Sequence, residues 1–246
     1  MSLQKLTVNS IDLYETYGVY VDTSTMFDKP AKDVELIDIP GRNGDLIVDY
    51  GTFKNFTLTV PCFIHENFST NFNDLMNYLG SIRNYVQLKF SNDPDHTRQG
   101  YPIMTQTPTV KHINRDGWFD LSFNCKPFRY LRNGDRSIAI DTPSMQITNP
   151  TKFASLPLLE VSGYGRFEIL SGSVGGAQIE IAQHPSGYIR IDSENMTITG
   201  NLPYPYNASD YVTIITGEYP SLLPGENTLY ADDTLAAYIY PYWREL

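Results

Sequence analysis

Apolar and polar residues alternate along several short stretches of this chain and recur at helical spacing along one. In Phe56-Thr57-Leu58-Thr59-Val60-Pro61-Cys62-Phe63 a period of two sets Leu58, Val60 and Cys62 on one face and threonines on the other, the mark of a half-buried strand. Residues 117–128 alternate in the same way. Shorter apolar runs at 6–9, 19–21, 34–39, 46–50, 85–90 and 101–104 read as further strands. Phe68, Phe72, Leu75, Met76, Leu79 and Ile82 instead fall along one stripe, which predicts an amphipathic helix over residues 69–84 with an asparagine-rich outer face. Ser69, Thr70 or Asn71 can cap its start, and Gly80 weakens its end by about 1 kcal/mol relative to alanine.

Beyond residue 132 the pattern changes. Arg132-Asn133-Gly134-Asp135 reads as a turn. After it come only short strand-like runs, at 137–140, 158–161, 166–170, 178–182, 188–192, 196–199, 228–231 and 236–242. Turn signals recur about every eight to twelve residues, the spacing of a β-sandwich, and no helix is visible. The 246 residues exceed the usual domain length of roughly 100 to 150 residues. Two domains are therefore expected, at 1–132 and 133–246. The 18 Tyr, 12 Phe, 17 Gly and 16 Pro, against 19% charged residues, favour many strands and turns over helices. The expected fold is mainly β: a β domain with one packed helix, followed by a β-sandwich.

Charge narrows the partners. The net charge is −10, and residues 131–246 hold 6 Lys and Arg against 13 Asp and Glu. So acidic a surface repels phosphate backbones, which argues against sequence-independent or sequence-specific nucleic-acid binding by the isolated chain. No run reaches the roughly 18 apolar residues of a membrane span, and Met1-Ser2-Leu3-Gln4-Lys5 has no apolar leader core, so a soluble chain without membrane insertion is expected. Cys62 and Cys125 both sit in strand-like runs and read as buried thiols.

One stretch stands out from the pattern without offering chemistry. Asp38-Ile39-Pro40-Gly41-Arg42-Asn43-Gly44-Asp45-Leu46 lies between two apolar runs; Pro40 fixes φ, Gly41 and Gly44 accept positive φ, and Asn43 tolerates it. A phosphate cradle would open onto a helix, whereas Leu46-Ile47-Val48 continues as a strand. Pro40, Gly41, Arg42, Asn43, Gly44 and Asp45 are thus a shaped double turn, and the candidate assembly motif.

This run resembles the corresponding turn of the distal tail protein (Dit) family of long-tailed bacteriophages. Two later patches carry the same resemblance in the same order: Tyr188-Ile189-Arg190-Ile191-Asp192-Ser193-Glu194, and Gly217-Glu218-Tyr219-Pro220-Ser221-Leu222-Leu223-Pro224-Gly225-Glu226-Asn227-Thr228 leading to Pro241-Tyr242-Trp243-Arg244. The resemblance implies a galectin-like fold for the C-terminal sandwich and a homo-hexameric ring at the virion tail tip. It further implies the tail tube protein, the tape-measure protein and receptor-binding baseplate proteins as partners, with a central passage for DNA, and neither enzyme activity nor a cofactor.

Catalytic alternatives rest on little. His65, His96, His112 and His184 fall in no local signature and show neither HxH nor HxxxH spacing. Asp93 with Asp95, Asp192 with Glu194, and Asp232-Asp233 could offer oxygen ligands, yet the calcium-loop pattern is absent. Tyrosine density in the second half, from Tyr164 to Tyr242 with Trp243, suits core packing, a protein interface or a sugar platform. The second functional reading is accordingly a lectin-like module for bacterial wall sugars, and the third a small glycoside hydrolase.

Overall fold

The computed structural model describes residues 4–22, 28–105, 108–111, 115–140, 143–171 and 176–246. The chain divides into two compact units, Met1–Arg129 with Leu246, and Tyr130–Glu245. The fold is mainly β, with one long helix.

The first unit contains, in order, β1 (Leu6–Val8), β2 (Ile11–Asp12), α1 (Leu13–Tyr17), β3 (Val19–Val21), β4 (Lys32–Ile37), β5 (Leu46–Phe53), β6 (Phe56–His65), α2 (Phe68–Ser81), β7 (Val86–Phe90), β8 (His96–Ile103), β9 (Thr109–Lys111) and β10 (Asp116–Leu131). Its main sheet has the order β2-β1-β7-β8-β10-β6-β3, with β9 also pairing on β10. The alternation in β6 is realised as expected: Leu58, Val60, Cys62 and Ile64 are buried on one face. On the same face β10 buries Phe119, Leu121 and Phe123, in register with Cys62, Val60 and Leu58, and Cys125 beyond them.

Helix α2 lies on this face. Phe68, Leu75 and Leu79 are buried, and the rings of Phe68 and Phe72 both meet Phe119 edge-on. Gly117 makes room for the helix start, because a Cβ there would come within 2.2 Å of the Phe68 ring. Tyr78 donates its hydroxyl to the Val8 carbonyl at 2.8 Å, tying the helix to β1. The helix starts one residue earlier and stops three earlier than the sequence pattern predicts. Its N-cap is Asn67, in the left-handed region at φ 52° and without a side-chain cap bond, so Ser69, Thr70 and Asn71 are helical instead of capping. Tertiary burial of Phe68 sets the start where no cap does.

Two further differences have physical causes. The segment 91–100 reads as a polar excursion, but His96 to Gly100 belong to β8: Thr97 and Arg98 occupy buried positions, which hides the strand's period. The five-residue helix α1 is too short for periodicity to reveal. It is held by Asp12, whose carboxylate accepts from the Tyr14 and Glu15 amides, and by Gly18 at φ 66°.

The second unit contains β11 (Ile138–Ala139), β12 (Ser144–Asn149), β13 (Leu158–Gly163), β14 (Gly165–Ser171), β15 (Gln178–Ile181), β16 (Ile189–Asp192), β17 (Thr197–Gly200), β18 (Val212–Ile214), β19 (Gly225–Ala231), β20 (Leu235–Tyr240) and β21 (Arg244–Glu245), with one 3₁₀ turn at Ala208–Tyr211. Two five-stranded antiparallel sheets, β11-β20-β13-β16-β17 and β12-β19-β14-β15-β18, enclose one apolar core that includes Leu159, Val161, Phe167, Ile169, Ile191, Leu229 and Ile239. This is the β-sandwich expected from the sequence.

The Pro224-Gly225-Glu226-Asn227 turn is explained by its last residue. Asn227 is fully buried, accepts from the Leu223 amide and the Ser171 hydroxyl, and donates to the Leu223 and Gly225 carbonyls. Nearby, buried Asn149 donates to the carbonyls of Phe153 and Leu222 and accepts from Thr151. Two fully bonded asparagines thus hold the loop before β19, where a chain of apolar residues would leave its backbone groups unpaired.

Candidate functional site

The motif Asp38–Leu46 closes a hairpin that stands apart from the main sheet. Strands β4 and β5 pair only with each other among the described residues, in the register Val34↔Asp49, Glu35↔Val48, Leu36↔Ile47 and Ile37↔Leu46, with a bulge between Lys32 and Val34. At the turn, Gly41 and Gly44 take φ 82° and 80°, and the Arg42 amide donates to the Ile39 carbonyl at 3.1 Å. Pro40, Gly41, Arg42, Asn43, Gly44 and Asp45 are all exposed, and a Cβ at either glycine would meet nothing within 4 Å. The conformation, not crowding, makes these glycines useful.

The strands are as exposed as their turn. Leu36 and Ile47 share one face and are 60% and 65% exposed; Ile37, Leu46 and Tyr50 share the other. The hairpin therefore carries apolar side chains on both faces without a core to bury them. Its polar groups hold it together. Asp49 accepts from the Gly51 amide at 2.9 Å and from Lys32 Nζ at 3.1 Å, which together hold its carboxyl below the usual range, and Tyr50 donates to Glu35 at 2.7 Å. At its base, Phe53 meets Phe128 edge-on at 5.7 Å.

The histidines and cysteines make no comparable constellation. His65 ends β6 and bonds Asp116 directly across the sheet at 2.7 Å, and with Arg115 this pairing draws the Asp116 carboxyl below its ordinary range against the opposing effect of desolvation. His96 bonds Asp93, which also meets Arg129 at 3.3 Å. His184 lies against Tyr211, and His112 falls outside the described residues. No group of three or more potential metal ligands occurs among the described residues. Burial pushes the Cys125 thiol up to about 12 and that of Cys62 higher still. Cys62 stands opposite Phe119 and Cys125 opposite Phe56, six residues away along β10. That separation is about 20 Å, far beyond the span of a disulfide.

One feature was not anticipated from the sequence. Tyr14, Tyr20, Phe63 and Trp118 form an aromatic row that runs from α1 across β3, β6 and β10, with centroids 4.8, 6.2 and 4.7 Å apart. Trp118 is 41% exposed beside a shallow cavity of about 380 Å³ shared with Asp22 and Pro61. The alternation of β10 does place Trp118 opposite the core, and only the cross-strand register reveals its neighbours.

No protein-family model matches the sequence, and no curated protein matches it either. Solved structures do. The class they define is that of phage tail-hub and baseplate folds, and the chain has this fold. The structure of the SPP1 Dit protein, described as a paradigm of the hub adsorption apparatus in phages infecting Gram-positive hosts, matches with a TM-score of 0.73 at 15% identity, over 100% of both chains. A chain of the phage P2 baseplate in its activated conformation with calcium matches at 0.58 and 11% identity, over 97% of each chain. A chain of the phage p2 baseplate in its activated conformation with strontium matches at 0.52 and 10% identity, over 99% of this chain and 98% of that one.

Proposed function

We propose that this chain is a structural hub protein of a phage tail tip, six copies of which form a ring that joins the tail tube to the host-adsorption apparatus and lets DNA pass. The observation that carries this reading is the match to the SPP1 Dit hub over the whole of both chains. Coverage of both units in one order favours a shared architecture over a borrowed domain. The chain would act by shape, without catalysis or cofactor, within the virion tail and alongside tail tube, tape-measure and receptor-binding baseplate proteins.

The β4–β5 hairpin supports the ring. Closed cyclic symmetry needs a heterologous interface, so each protomer must offer two different complementary patches. A two-stranded hairpin is marginal in water by itself, and this one exposes Leu36, Ile37, Leu46, Ile47 and Tyr50. A second copy covering those residues would supply the missing apolar burial, with the Pro40–Asp45 turn at the far end of the contact. The test is negative-stain imaging and light scattering of the purified chain, alone and mixed with tail tube protein. Six-fold rings are expected; a strict monomer in both conditions at every concentration would sink the reading.

A further inference from the structure

The outer face of the sheet β11-β20-β13-β16-β17 has a composition that the hub role does not use. Register places Tyr238, Glu160, Arg190 and Thr199 in one transverse row across β20, β13, β16 and β17. At its centre Arg190 donates through Nε to Glu160 Oε2 at 2.8 Å, with 45% and 23% of their side chains exposed. Neither Nη of Arg190 nor Oε1 of Glu160 has a hydrogen-bond partner among the described residues. The guanidinium lies over the Tyr188 ring, whose centroid is 5.0 Å from Arg190 Cζ. Tyr238, 44% exposed, rises beside two small exposed neighbours, Ala139 across the strand pair and Ala236 two residues along its own strand. Its ring thus borders a shallow open floor.

Three classes of ligand can be weighed against this face. Protein interfaces deplete charge at their centres and enrich apolar anchors, whereas here the centre is a solvated ion pair. A polyanion would approach a half of the chain with 6 basic and 13 acidic residues, and the one guanidinium on the row is already neutralised by Glu160. A neutral sugar fits each group. A pyranose has an apolar C–H face that stacks on an aromatic ring, and hydroxyls that both donate and accept. The guanidinium–carboxylate pair offers the two Nη groups as donors and Oε1 as an acceptor beside one another, a combination that can read neighbouring hydroxyls. Strands about 4.8 Å apart put the Tyr238 and Arg190 rows about 10 Å from one another, roughly the length of two sugar rings.

We propose that this face of the second unit binds a neutral oligosaccharide, with Tyr238 as the stacking platform and the Arg190–Glu160 pair as the hydroxyl-reading group. The sugar-binding alternative raised by the sequence thus becomes an additional activity of one sheet face. It stands independently of the ring.

The experiment is titration of the full chain with lactose, cellotetraose and triacetylchitotriose, read by saturation-transfer and amide-shift NMR. At least one probe is expected to bind saturably, with shifts centred on β13, β16 and β20. Tyr238→Ala and Arg190→Ala are each expected to weaken that binding at least tenfold, and Arg190→Lys, which keeps the charge but loses the fork, by a similar factor. Tyr230→Ala, exposed on the other sheet, should leave affinity within twofold. Thermal melts of each variant check folding. Absence of saturable binding by all three sugars overturns the proposal, as does binding that survives both alanine variants. A change in self-association on Tyr238→Ala with no sugar bound would assign the face to protein and equally overturn it. The presence or absence of sugar binding leaves the ring reading as it stands.

Discussion

Strands β5 and β6 follow one another with two residues between them, and both are rich in apolar residues, alternating in β6 and consecutive from Leu46 to Val48 in β5, yet they meet opposite fates. In β6, Leu58, Val60 and Ile64 are essentially inaccessible; in β5, Leu46, Ile47 and Tyr50 are 39%, 65% and 57% exposed. The difference is not in propensity. Strand β6 lies between β10 and β3 under helix α2, whereas β5 has β4 as its sole strand partner among the described residues. Apolar content thus specifies an extended segment, with one greasy side where it alternates and two where it runs on, and leaves open whether its own chain supplies the cover. Where it does not, the remaining apolar area is free energy to be gained by association.

Substitutions in the two strands put this contrast to the test. The largest effect is expected from the pair Leu36→Lys with Ile47→Glu, which keeps an attractive cross-strand couple but removes the apolar face. It should weaken ring assembly on the order of a thousandfold while leaving the melting temperature of the monomer unchanged; an unchanged ring by analytical ultracentrifugation would show that the hairpin is not the contact. Next, Leu58→Ala should lower the unfolding free energy by about 3 kcal/mol, against less than about 0.5 for Ile47→Ala. Equal losses in urea denaturation would erase the distinction between the strands. The buried polar counterpart in the second unit comes third: Asn227→Ala should cost about 2 kcal/mol, since the Leu223 amide and two carbonyls lose their partner.

Smaller effects probe the hairpin itself. Gly44→Ala forces an alanine into φ 80° and should destabilise the turn by about 1 kcal/mol, visible as faster amide exchange in β4 and β5 without loss of core protection. Arg42→Ala should leave folding untouched and act only on assembly. Last, the Asp49 carboxyl is held below its ordinary value by the Gly51 amide and Lys32. A depressed folded-state value means that its contribution is complete above the unfolded-state value of 3.8 and fades as pH falls through the folded one. Hairpin amides should therefore lose protection in acid before the main sheet does, and Asp49→Asn should abolish that pH dependence.

The elements legible in the sequence were those whose period was written in apolar residues. Strand β6, the alternation of β10 and helix α2 declare themselves because every inward position is a hydrocarbon or an aromatic ring. Strand β12 does not, because its inward residues are Met145, Ile147 and Asn149, and the last is a buried polar group, one of whose partners, the Leu222 carbonyl, lies far along the chain. Thr97 and Arg98 conceal β8 likewise. For the hairpin, composition gave the turn and both strands, down to the glycines that need positive φ. Its exposure was not legible, because exposure depends on what does not fold back over it. The Glu160–Arg190 pair was equally hidden: its members are thirty residues apart and meet only through the β13–β16 register.

The ion pairs Lys32–Asp49 at 3.1 Å and Lys54–Asp33 at 3.1 Å, both solvent-exposed, stud the flanks of the hairpin. Judged as stabilisers such surface pairs contribute little. Their consequence is temporal. A bare apolar strand pair invites indiscriminate edge-to-edge stacking with any other extended chain, and charged residues on its borders make every off-register pairing bury a lysine or a carboxylate. In the proposed ring, a freshly synthesised copy would then remain dispersed until the right neighbour arrives, and the order of construction would be governed by encounter with the correct surface and not by a race against precipitation.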